Sequence, residues 1–174
     1  VVAINFMFAT CRAACPVSTQ HLGEVQRALG ARAGRDVTLL SISLDPAHDT
    51  PEVLRGYVEA HGVGPGWTIL TGSYDDVEFL RHRLGVYDRD PVVDADRTQH
   101  AGLVVLGNEP AGRWTVVSAL AHPVRIRQAI ERTLLPPSAW ITGAAAVNAV
   151  PYEESAASRL LVRPADVSGL AARY

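Results

Sequence analysis

Lysine is absent: all 16 basic residues of this 174-residue chain are arginine, which excludes any mechanism that needs a Schiff-base lysine. No run of about 18 apolar residues occurs, so no segment reads as a membrane-spanning helix. An excess of positive charge is missing as well. With 16 basic residues against 18 acidic ones the formal net charge is -2, which gives no electrostatic reason to expect a nucleic-acid partner. Sulfur is scarce, at one methionine and two cysteines. A starting methionine and a signal peptide are lacking too: Val1 already lies in a strand-like run. Trimmed N-terminal sequence is therefore expected, and location is not read directly from the residues.

What is present is an ordinary globular composition, 48% hydrophobic and 20% charged, enough for one well-buried domain followed by a tail. Val1 to Phe8 is a continuous apolar run rich in β-branched and aromatic residues, the pattern of a central strand buried on both faces. Pro16, a good first helical residue, leads a helix from Val17 to Ala33 with Leu22, Val25 and Leu29 at helical spacing. Asp36 to Leu44 is a second buried strand. Thr50 then caps a helix with Pro51 at its first position, running to about His61. Trp67 to Leu70 reads as a short strand, and Ser73 with Asp75 and Asp76 opens a helix to about Leu84.

Tyr87 to Gln99 is polar and contains Pro91, which predicts a long loop with Asp88, Asp90, Asp94 and Asp96 solvated on it. His100 to Gly107 and Trp114 to Leu120 form a hairpin around the turn residues 108–112, and a helix follows from His122 to Leu135. The order β-α-β-α-β-α-β-β-α predicts an α/β fold, a thioredoxin-like mixed sheet flanked by helices. Beyond Pro136 the pattern weakens into a C-terminal extension with no assigned role. Trp67, Trp114 and Trp140 read as core or surface aromatics rather than partner anchors.

Both cysteines, Cys11 and Cys15, sit in Thr10-Cys-Arg-Ala-Ala-Cys-Pro16, where the first strand ends and a helix begins. Unpaired amides and the dipole at a helix N-terminus favour thiolates, so both thiols are expected to ionise more easily than free cysteine. Residues at i and i+4 share a face on a helical turn, so the spacing permits chelation of one ion; it also permits a disulfide. Two thiolates do not close a zinc site, and soft, low-coordinate Cu(I) fits them better. A histidine is the natural third ligand among His21, His48, His61, His82, His100 and His122. His100, after the long loop and at the start of a strand, stands out by position, and His48 is the second choice. His21 and His82 read as helix residues at the surface or an interface, and His61 and His122 as helix-end residues.

Phe6-Met-Phe-Ala-Thr-Cys-Arg-Ala-Ala-Cys-Pro16, then Ser41-Ile-Ser-Leu-Asp-Pro-Ala-His-Asp-Thr-Pro51, then Trp67-Thr-Ile-Leu-Thr-Gly72, and finally His100 before a strand stand in register. Together they resemble the Sco (SenC) family of thioredoxin-like copper proteins, over residues 1–135, with 136–174 as the extension. The resemblance implies a copper-binding chaperone facing the periplasm or the mitochondrial intermembrane space. Such a protein helps metallate the copper centre of cytochrome c oxidase, or reduces thiols on the oxidase's copper-binding subunit. It implies Cys11, Cys15 and His100 as ligands of a copper ion, with any membrane attachment made by an anchor outside this sequence. Asp45 would orient the site through hydrogen bonds, unless its loop serves only as a turn and helix cap. Three departures stand out: the family's extra N-terminal strands are missing, Asp96-Arg-Thr-Gln99 replaces its hydrophobic lead-in, and the tail has no family counterpart.

Three chemistries follow. A copper chaperone holds Cu(I) between the cysteines, with His100 also permitting Cu(II). A thiol-disulfide oxidoreductase attacks with one cysteine and resolves with the other, although such enzymes usually carry CxxC. A peroxide-reducing enzyme would need rapid sulfenic acid formation. Against all three stands a purely structural role for two buried thiols or a disulfide.

Overall fold

The computed structural model describes residues 1–12, 14–97 and 102–136. Five strands form one mixed sheet in the order β3-β2-β1-β4-β5: β1 Val2–Met7, β2 Thr38–Ser43, β3 Trp67–Leu70, β4 Leu103–Asn108 and β5 Arg113–Ser118. The first three run parallel, while β4 is antiparallel to both β1 and β5. The helices are α1 Ala14–Leu29, α2 Pro51–His61, α3 Tyr74–Arg83, α4 Pro91–Ala95 and α5 Pro123–Leu134. The arrangement is thioredoxin-like, as the order of elements predicts.

Strand periodicity divides the core into two layers, because alternate residues face opposite sides of a sheet. Ala3, Leu39, Val104 and Leu106 face α1 and α5, where Leu22, Val25 and Leu29 meet Ile126, Ala129 and Ile130. Ile4, Phe6, Leu40, Ile42 and Val105 face the other side and pack on Val77 and Leu80 of α3. Having both faces covered is why β1 and β2 read as unbroken apolar runs. The polar exceptions, Asn5 and Ser41, pair across the strands: the Ser41 hydroxyl donates to Asn5 Oδ1 and accepts from Trp67 Nε1 at 2.9 Å.

Caps set the helix limits. Thr50 accepts from the Val53 amide at the start of α2, Gly62 ends that helix in the left-handed conformation, and Ser73 accepts from the Asp76 amide at the start of α3. Gly66, at φ +83°, lies so close to the backbone of Ala33 and Gly34 that a Cβ there would sit 2.4 Å from Ala33 C, so only glycine allows this approach beside Trp67.

Two expectations change. The helix after the cysteines begins at Ala14, two residues before Pro16, so Cys15 lies within its first turn. The expected loop at 87–99 contains α4, started by Asp90, whose carboxylate accepts from the Val92 amide, with Pro91 at the first position. Asp94 of this segment is not a solvated charge: it accepts two hydrogen bonds from Arg81 and one from the Asp88 amide. Trp67 is buried and Trp114 half-buried, as read; Trp140 and the extension from residue 137 onward lie outside the described residues.

Candidate metal centre

Parallel pairing puts the C-terminal ends of β1 and β2 side by side, and the two loops that leave them build the site. The loop from β1 carries Cys11, whose amide donates to Phe8 O at 3.2 Å. Cys15 follows on α1. Both cysteines are free thiols, Cys11 half-buried and Cys15 buried at 2% exposure. The two side chains are hydrogen-bonded to each other, and the Phe8 backbone bonds the Cys15 sulfur as well. The convergence that the spacing permits is therefore present.

The expectation that both thiols ionise easily fails for Cys15. Burial pushes its thiol up to about 12, the Cys11 hydrogen bond and the charges of Cys11 and Asp49 push the same way, and only the Phe8 backbone opposes them. Desolvation in the first turn outweighs the helix dipole, a balance that depends on packing rather than on position in the sequence.

The loop from β2 carries Asp49, a residue the sequence reading left inside a turn motif. It is fully buried, and its Oδ2 accepts from the Ala9 amide at 3.0 Å and from the Ser43 hydroxyl. Asp49 thereby ties the cysteine loop to the end of β2. Tyr57 of α2 was also missed: its hydroxyl lies 2.7 Å from Thr19 Oγ1, one turn after Cys15. Burial raises the Tyr57 phenol, and the charges of Cys15, Cys11 and Asp49 add to that rise. The only available signal for Asp49 was its place four residues after Asp45 in the same loop.

Asp45 binds Arg97 at 2.7 Å and His48 Nδ1 at 2.9 Å. It therefore links the β2 loop to the segment that leads to residue 100. His48, the second-choice ligand, turns its ring toward Asp45 and is largely exposed. His21 is half-buried with Nδ1 3.3 Å from Ala119 O, His61 ends α2 against the Tyr57 ring, and His122 caps α5. His100 lies outside the described residues. β4 is antiparallel to β1 with Asn5 opposite Val104, so Leu103 begins β4 at the sheet end where the cysteine loop leaves β1.

Among the described residues a second group, Glu78, His82 and Asp94, brings its ligand atoms within 4.8 Å of one another. The Arg81 guanidinium already binds both of its carboxylates, which makes it a structural ion-pair knot rather than a vacant ligand set.

Two soft sulfur donors on one turn are a donor set suited to copper. Comparisons with known proteins point the same way. The family model described as SCO1/SenC matches residues 1–135. The Bacillus subtilis SCO1 protein homolog is 33% identical over 76 residues, 42% of this chain and 39% of that protein. The mitochondrial SCO1 protein of Saccharomyces cerevisiae is 33% identical over 88 residues, 51% of this chain and 29% of that protein. The chain thus spans well under half the length of these curated relatives. Among solved structures, copper-bound ScoI of Bradyrhizobium japonicum superposes with a TM-score of 0.60 at 27% identity, covering 76% of this chain and 83% of that one. Yeast Sco1 gives 0.59 at 26% identity, covering 75% and 81%. With more than half its length matched by one family model, and with that family's fold, this chain belongs to the SCO1/SenC family.

Proposed function

We propose that the chain is a copper-binding metallochaperone: Cys11 and Cys15 hold Cu(I), and His100 is the third ligand that also admits Cu(II). The observation that carries this reading is the pairing of two cysteines outside any disulfide at the turn from β1 into α1, Cys11 on the loop and Cys15 in the first turn of the helix. Relatives with bound copper, such as the Bradyrhizobium ScoI, support the choice of metal. The antiparallel pairing supports His100, because Leu103, three residues further on, begins β4 at the sheet end from which the cysteine loop leaves β1. Asp45 supports it further by anchoring Arg97, three residues upstream. A natural destination for the cargo is the copper centre of cytochrome c oxidase, to which the chain delivers the ion or whose thiols it prepares. Names among the relatives, a lipoprotein in one case and mitochondrial proteins in another, favour a site of action facing the periplasm or the intermembrane space.

Exchange of disulfides with a partner is the competing chemistry. Cys15 is poorly suited to attack, since burial holds it as a thiol; Cys11, half-buried, would have to be the nucleophile. One experiment separates the two readings. Reduced protein is titrated with Cu(I) against a chromogenic chelator, then with Cu(II) under optical and EPR observation, and metal-free protein is assayed for insulin reduction. One copper per chain, a Cu(II) signature lost in His100→Ala, and no insulin turnover are expected. Turnover without copper binding overturns the chaperone reading, and an unchanged spectrum in His100→Ala removes that residue from the site.

A further inference from the structure

Asp49 differs from every other buried polar residue among the described residues. Its side chain is fully buried, no salt bridge to it forms among the described residues, and its Oδ1 is buried without a hydrogen-bond partner. Burying an unpaired carboxylate is costly, and an unsatisfied buried oxygen calls for a functional explanation. The other oxygen shows where this one belongs: Oδ2 holds the Ala9 amide, in the turn that carries Cys11, and the Ser43 hydroxyl at the end of β2.

We propose that Asp49 is a positioning residue of the cysteine pair, which fixes the Cys11 turn through the Ala9 amide and sets a carboxylate against any anion formed there. This inference rests on the reading of Cys11 and Cys15 as a Cu(I) site. Two thiols that release their protons to hold Cu(I) become an anionic dithiolate complex. A buried carboxylate that holds an amide two residues before Cys11 opposes that anion by roughly ten- to a hundredfold in affinity. Asp49 thus weakens the grip on the metal while keeping the ligand geometry, the combination that hand-over to a recipient requires.

Asp49→Asn tests this, because it removes the charge and retains an oxygen for Ala9 and Ser43. Reduced, metal-free protein is alkylated with neutral iodoacetamide and with anionic iodoacetate, and the ratio of the two rates is read, so that the thiolate fraction cancels. The wild-type ratio is expected to exceed that of a synthetic peptide spanning Thr10 to Pro16 several-fold, and Asp49→Asn to bring it back toward the peptide. A wild-type ratio equal to the peptide's overturns the proposal even if the variant does not fold, and equal ratios in the folded variant and wild type overturn it as well. In chelator competition Asp49→Asn is expected to bind Cu(I) roughly tenfold tighter or more, whereas unchanged or weaker binding sinks the idea. Failure of wild type to take up any copper defeats the chaperone reading alone, since the alkylation ratio still decides the role of Asp49.

Discussion

Asp94 and Asp49 are both carboxylates withdrawn from water, yet their surroundings are opposite. Asp94 meets the buried Arg81 with both oxygens, accepts the Asp88 amide, and is held by the Arg81 hydrogen bonds at about 2, below the ordinary carboxylate value. Among the described residues Asp49 has two neutral donors on one oxygen, nothing on the other, and no cation. The first ties α3 to α4 and has partners on both oxygens; the second ties the cysteine loop to the end of β2 through one oxygen alone. Satisfaction of buried charge thus distinguishes the part of the molecule that holds shape from the part that does chemistry.

The largest effect should come from the sulfurs. Cys11→Ser or Cys15→Ser is expected to lower Cu(I) affinity by more than about a hundredfold, since losing a ligand exceeds the loss of its supporting contacts, whereas Arg81→Met should leave it unchanged. Chelator competition on the three variants checks this, and a copper defect in Arg81→Met would break the separation of the two regions. Next in size is stability. Arg81→Met strands Glu78 and Asp94 at the α3–α4 junction and should cost about 2 to 3 kcal/mol, less than for a fully buried pair because both carboxylates keep some solvent. Urea unfolding at neutral pH measures it.

Acid sharpens the comparison further. Because Arg81 holds Asp94 below its ordinary value, that carboxylate contributes stability above about pH 4, which disappears as the pH falls toward about 2. Melting temperature against pH should show this acid limb in wild type and a shallower one in Arg81→Met. The smallest effect is expected at the exposed pair Arg55 and Glu52 on α2, where Arg55→Ala should change stability by less than about 0.5 kcal/mol in the same urea assay.

The strands and most helix limits were legible because they rest on local signals. Continuous apolar runs marked β1 and β2, and Thr50-Pro51 and Ser73 capped α2 and α3 as expected. The cysteine pair was legible from placement alone. What escaped the sequence depended on contacts between distant residues. Asp45 and Asp49 occupy one loop, and nothing in their order shows that the first turns to Arg97 while the second is buried on the Ala9 amide. Helix α4 was hidden by its brevity and by Pro91, which reads equally as a loop residue and as a helix start. The acidity of Cys15 was misjudged because the dipole is a local property and desolvation is not.

The hydrogen-bonded line Asn5–Ser41–Trp67 across β1, β2 and β3 has a consequence for measurement at the site. A slip of β1 by one residue against β2 would set Asn5 opposite an apolar side chain and part it from the Ser41 hydroxyl, leaving two buried polar groups without each other, so that wrong alignment is penalised. The cysteine loop leaves the last residue of β1 and the Asp49 loop the last residue of β2. Their relative height is therefore dictated two to four residues away, in the middle of the sheet, and the spacing between sulfur and carboxylate is inherited from strand alignment rather than negotiated between two loops.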